Sequence, residues 1–167
     1  MVAVTGVNML NVNREELWRK ASFSSEMEAR DAIEELSLTA DVAEVLQFAD
    51  IFACRIHWLD RVEVVEALGR IANPAARAIL ADIVMHSRQR MVKYYAARNL
   101  IELDEPVWKV AIPKNAKSHF WKSLLAYHRF INDELSLDQL KELARRNCSH
   151  SGDHWYWLTI LEKKMNL

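Results

Sequence analysis

The chain has 167 residues, 51% of them hydrophobic and 27% charged, with a formal net charge of −1. This is the composition of a globular protein long enough to bury a sizeable core, and its balance leaves no overall basic footprint for nucleic acid. Gly and Pro number three each. That is too few for turn-rich sheets, and it rules out a glycine-rich phosphate loop or a dinucleotide fingerprint.

Residues 1–12 read as an irregular or extended arm without the basic start and sustained apolar run of a signal peptide. Asn13 with Glu16 predicts a capped short helix from Arg14 to about Ala21. Ser25 with Glu28 starts the next, to about Leu38. Asp41 with Glu44 starts a third, which continues through VAEVLQFADIFACRI to about residue 56. His57-Trp58-Leu59 reads as a turn, and Asp60 with Glu63 opens a helix ending near Ile71. Asn73 before Pro74 is a strong start signal for a helix to about His86, because Pro suits the first helical position. Ser87 is a plausible cap for a helix from about Arg88 to Leu103.

Beyond Asp104-Glu105-Pro106, VWKVAIP predicts a short helix or turn ended by Pro113. An amphipathic helix follows over roughly Ala116 to Ile131. Ser136 with Gln139 is a further capping box, opening a helix from Leu137 to about Arg146. NCSHSGD reads as a polar loop, with Asp153 capping a last helix. No apolar run approaches the roughly 20 residues needed to cross a bilayer.

Three of these helices are related. Leu36, Leu68 and Leu100 are spaced by 32 residues, as are Ala32, Val64 and Ala96, then Ile33, Val65 and Ala97, then Ala29, Arg61 and Lys93. A repeat of this length points to stacked helical hairpins. The expected fold is all-α: a single domain of nine or ten helices, repeat-like over about 25–103, with a C-terminal helical cap over 104–167.

Residues 61–103 resemble HEAT-like repeats of the short, phycobilisome-lyase type. The resemblance rests on RVEVVEALGRIANPAARAIL, then Val92-Lys93, Ala96-Ala97 and Leu100, and it weakens over 25–60 and fails beyond 104. It implies an α-solenoid that presents one helix of each pair on a concave face. On that implication residues 31, 63 and 95 form one row (Asp31, Glu63, Tyr95) and residues 35, 67 and 99 another (Glu35, Ala67, Asn99). Glu28 and Glu34 make its N-terminal end acidic. The plain reading of such a row is a solvated helix face. The functional reading is a docking surface for a basic partner, which gains on-rate and specificity from charge.

Residues 1–60 carry eleven Asp/Glu against five Lys/Arg, and the remainder carries twelve against seventeen. That asymmetry suits an oriented electrostatic encounter. Size, helicity and partial acidity together resemble, in type, the immunity proteins of bacterial toxin systems, including contact-dependent growth inhibition. The resemblance implies a non-catalytic protein that neutralises a basic cognate toxin, a nuclease domain, by occluding its active site. A HEAT-like adaptor or scaffold is the alternative. A HEAT-like DNA glycosylase is a further one, opposed by the acidic first third despite Arg88, Arg90, Lys93, Arg98, Lys114, Lys117 and Lys122.

The remaining groups carry plainer readings. Cys148, His150, Asp153 and His154 are permissible metal ligands, but their spacing matches no zinc signature. His119 and His128 are nine residues apart and so fall about 180° apart on a helix. Catalytic residues, a cofactor and a metal are therefore not expected, nor are nucleic-acid or membrane partners, and oligomeric state is left open. Trp18, Trp58, Trp155 and Trp157 read as core or end-cap residues. Trp108 and Trp121 also read as core, with exposure at an interface as the alternative. Cys54, inside FADIFACRI, reads as a buried thiol. Two cysteines without a CxxC suggest a reducing compartment, the cytoplasm.

Overall fold

The computed structural model describes residues 5–111, 119–147 and 154–165, and side chains over 13–109, 120–147 and 156–161. Among them all regular structure is helical: α1 (Thr5–Phe23), α2 (Glu26–Thr39), α3 (Val45–Cys54), α4 (Trp58–Ile71), α5 (Pro74–His86), α6 (Arg90–Glu102), α7 (His119–Ile131), α8 (Leu137–Asn147) and α9 (His154–Met165). A 3-10 turn spans Pro106–Ala111. The chain divides into two compact units, Met1–Ala96 and Ala97–Leu167, the division falling inside α6.

In the first unit α1 lies against α2, α2 against α4, and α4 against α5. α3 touches α1, α4 and α5. The stripe expected on α2 is the stripe that is buried: Ala29, Ala32, Ile33 and Leu36 are all at most 2% exposed. The 32-residue periodicity survives as burial. Val64, Val65 and Leu68 on α4, and Ala96, Ala97 and Leu100 on α6, are fully buried like their counterparts on α2.

The first expectation to fail is the N-terminal arm. α1 starts at Thr5, so most of residues 1–12 is helical and Asn13 lies inside the helix rather than capping it. Arg14 then reaches both following helix ends. It pairs with Glu44 and donates from Nη1 to Thr39 Oγ1 at 2.8 Å.

Two helix starts differ in position. His57 is the residue before α4, and Trp58 and Leu59 are already helical, so Asp60 sits in the first turn instead of capping it. At 4% exposure it is buried between two arginines. α6 begins two residues later than expected, because Ser87 closes α5 and its Oγ accepts only from Gln89 N at 3.3 Å. The Asp41–Glu44 box does form, with reciprocal bonds of 3.0 Å, but it shapes a turn ahead of α3. Ser25 stands at the N-cap of α2 without a side-chain cap bond.

The α4–α5 corner follows the sequence closely. Ala72 takes a left-handed conformation (φ 56°) and its N–H returns to Leu68 O at 3.1 Å. The side chain of Asn73 then accepts from Ala76 N at 2.8 Å, with Pro74 leading the helix.

In the second unit α7 packs on α8 and α9, and α8 on α9. Its core is aromatic: Trp108, Phe120, Tyr127 and Trp157 are each at most 2% exposed, and Phe120 meets Tyr156 edge-on at 5.3 Å. Trp121 is 8% exposed, so neither it nor Trp108 is an exposed anchor. The Ser136–Gln139 box forms in both directions, at 2.8 and 3.2 Å. The polar loop, Pro113 and residues 116–118 lie outside the described residues. Cys54 is exposed, against expectation: it is the last residue of α3, and the loop to α4 follows it directly.

Candidate functional site

α2 and α4 lie side by side, and their shared edge carries the charge. On α2 the residues left over from the buried stripe are Glu28, Asp31, Glu34 and Glu35, all exposed. Helical spacing dictates this: Asp31 and Glu35 are one turn apart, and Glu28 precedes Asp31 by three residues. Two large apolar side chains, Met27 and Leu38, stand 74% and 73% exposed on the same helix. With i, i+4, i+7 and i+11 spacing they fall on one face with Asp31 and Glu34.

Across the edge lies Glu63 of α4, half-buried. Its carboxyl is held above the usual range, first by burial and then by Glu66 and Glu34, while Arg30 and Arg70 pull the other way. Among the described residues Glu63 has no hydrogen bond or ion pair. Arg70 is engaged instead by Ser37, whose Oγ accepts from Nε at 2.9 Å. The edge is thus acidic with two arginines set into it, more mixed than the sequence suggests.

Arg30 leads inward to Asp60. Asp60 Oδ1 lies 3.9 Å from Arg30 Nε, and Oδ2 lies 3.7 Å from Arg55 Nη1. Arg55 also closes the end of α1, donating to Ala21 O at 2.6 Å, Ser24 O at 3.0 Å and Lys20 O at 3.3 Å. Carbonyls at a helix end lack intrahelical partners, and a cation suits that end of the dipole. One buried carboxylate therefore joins the end of α1 to the start of α4. This knot was missed in the sequence, where Asp60 looked like a cap.

The expected site residues fare unequally. Glu28, Asp31, Glu34 and Glu35 share α2, and Glu34 acts electrostatically on Glu63. Tyr95 is half-buried, its ring edge-on to Tyr94 at 6.0 Å. The row through residues 35, 67 and 99 is not a surface row. Ala67 is fully buried and Asn99 is 3% exposed, so Asn99 cannot meet a partner at an exposed face. For Ala67 the cause is neighbour number: α4 is flanked by α2, α3 and α5, whereas α2 is flanked only by α1 and α4 among the described packing pairs.

Among the described residues no group of three or more His, Cys, Asp or Glu is placed to hold a metal, and the Cys148–Asp153 loop lies outside them. His128 is packed 5.2 Å from the Trp108 ring, and burial, then Lys109, lowers its pKa. His119's side chain is outside the described residues. No described helix is long and apolar enough to cross a membrane. Comparison with known proteins yields no family model, no curated protein and no solved structure that matches the chain.

Proposed function

We propose that this protein is a non-catalytic binding module that docks a basic protein on the α2–α4 edge. The most specific form of that reading is an immunity protein that covers the active site of a cognate toxin nuclease. The observation that carries it is Glu63. Burial, helped by Glu66 and Glu34 against Arg30 and Arg70, disfavours the charged form of this carboxylate in the free protein. A partner cation set against it relieves that cost, so the charge contributes to association and not to folding. Met27 and Leu38 add apolar anchors at either end of the acidic row.

The helix contacts support a HEAT-like stack beneath this face. α1, α3 and α5 touch in succession, as do α2 and α4, the pattern of two rows of alternate helices. The toxin-neutralising form rests on resemblance of type, and the docking face stands without it. A stable complex needs about 1,600 Å² of total buried area.

The test is capture of partners from the native cells on the tagged full chain, beside a variant carrying Asp31→Lys and Glu34→Lys. Both positions are exposed, so the variant keeps its fold. The expected result is one stoichiometric basic protein, retained by the parent and lost by the variant. Equal retention by both removes the α2–α4 face as the site. Nucleic acid without protein overturns the reading altogether.

A further inference from the structure

A second feature of the first unit lies on α3 and α5 and plays no part in the acidic edge. Ala49, Phe52 and Ala53 on α3 face Ile79 and Ile83 on α5 across a cleft of about 460 Å³. That volume is within the range of small-molecule sites, roughly 300–1,000 Å³. Its walls are apolar and its end is not.

The end is formed by Arg61, which enters from α4. Its guanidinium lies over the Phe52 ring, 5.1 Å from the centroid. Nε donates to Arg55 O at 2.5 Å and Nη1 to Gln89 Oε1 at 3.2 Å. Gln89 in turn donates to Ile56 O at 3.4 Å, so the loops before α4 and α6 are tied together around this one side chain. Two nitrogens are fixed and the Nη2 edge has no partner among the described residues. A guanidinium held in this way loses little freedom on binding an anion, and its fork matches a carboxylate.

The rim reinforces that sign. Arg88 is exposed beside the cleft and makes no hydrogen bond or ion pair among the described residues. The one carboxylate in the lining, Asp82, is occupied by His86, whose Nδ1 lies 2.9 Å from Asp82 Oδ1. The cleft therefore presents an apolar slot, a pre-ordered cation at its end and a second cation at its mouth.

We propose that this cleft is a binding site for a small amphipathic organic anion, with its apolar body between α3 and α5 and its carboxylate on Arg61. The ligand class follows from the pairing of slot and charge. A neutral apolar molecule leaves Arg61 Nη2 unused, and an amine meets Arg61 and Arg88 with only the solvent-exposed, His86-bonded Asp82 to offset them.

The experiment is amide NMR of the ¹⁵N-labelled full chain, titrated separately with octanoate, octanol and octylamine below their micelle concentrations. Octanoate is expected to shift amides of residues 49–53, 61 and 79–89, with octylamine at least about tenfold weaker, the factor that one charge-assisted hydrogen bond supplies. Ala53→Trp fills the slot from an exposed position and is expected to abolish the shifts. Arg88→Glu, at a position without partners, is expected to weaken octanoate and spare octanol. Arg61 is left intact because its loss would also loosen both loops. Equal binding of octanoate and octylamine, shifts confined to other residues, no shifts at all, or full octanoate binding by Ala53→Trp would each overturn the proposal.

Discussion

Replacing Asp60 with alanine tests the reading of the first unit most directly. The side chain is 4% exposed and lies between Arg30 and Arg55, so its removal leaves two cations facing one another with no anion between them. Removing one member of a buried ion pair costs about 3–5 kcal/mol in well-made cases. Here the contacts are 3.7 and 3.9 Å, too long for hydrogen bonds, and Arg30 keeps a third of its side chain in water. Arg55 also keeps its carbonyl acceptors at the end of α1. The expected loss is therefore at or just below the bottom of that range, about 2–3 kcal/mol, or about 4–12 °C in Tm for a chain of this size. Urea unfolding followed by circular dichroism measures it. Pairing Asp60→Ala with Arg55→Met should cost less than the sum of the two single changes, because the second removes a charge the first left uncompensated. A single-variant loss within about 0.5 kcal/mol, the ordinary range for a surface site, would refute the knot.

Three further outcomes follow from the same chemistry. Ala72→Gly should stabilise by about 0.5–1 kcal/mol, since an L-residue pays about 1–2 kcal/mol in the left-handed region and glycine recovers part of it; a lower Tm would count against the φ of 56° at that corner. Glu63→Gln should stabilise at neutral pH and lose its advantage on the acid side. The folded carboxyl binds its proton more tightly than the unfolded one, so the parent loses stability as pH rises from the ordinary carboxylate value through the raised one; equal gains at both pH values in paired melts would contradict this. His128 carries the opposite sign. Its folded pKa is lowered, so stability is full above the ordinary histidine value and falls as pH drops through it towards the lowered one. Asn132 lies 3.1 Å from its Nε2, so His128→Asn should flatten this part of the pH–stability curve, and an unchanged curve would show that the ring is solvated.

What was legible in the sequence was what local chemistry decides. The Asn73-Pro74 start, the Ser136–Gln139 box and the buried stripe of α2 all depend on residues within a turn or two of one another. The 32-residue spacing was legible too, because equivalent helices bury equivalent positions. What failed depended on neighbours in space. α1 starts at Thr5, well before the Asn13–Glu16 signal that marked its expected start. Asp60 has the identity and spacing of a cap, and only the positions of Arg30 and Arg55 show that it is an internal ion. Ala67 aligns with Glu35 in sequence, yet it is buried where Glu35 is exposed because α4 has more neighbours than α2. A periodicity assigns a face to a helix and does not say how much of that face the next helix covers.

The same distinction separates the charges that hold the first unit together from those available to a partner. Asp60 is matched by two arginines and nearly sealed from water, so its charge contributes to the fold. Arg61 is tethered by two bonds yet keeps an unused edge at the end of an apolar slot. Glu63 is half-buried and bonded to nothing among the described residues, and burial, with Glu66 and Glu34, outweighs the pull of Arg30 and Arg70. A carboxylate in that position weakens the isolated protein, and Gln would fill the same space without the cost. On the proposed docking reading a partner cation offsets that cost more than Arg30 and Arg70 do, and so the effect of Glu63→Gln on stability and its effect on partner binding should have opposite signs. A variant that is both more stable and equally well bound would separate Glu63 from the docking face and leave the row on α2 to act alone.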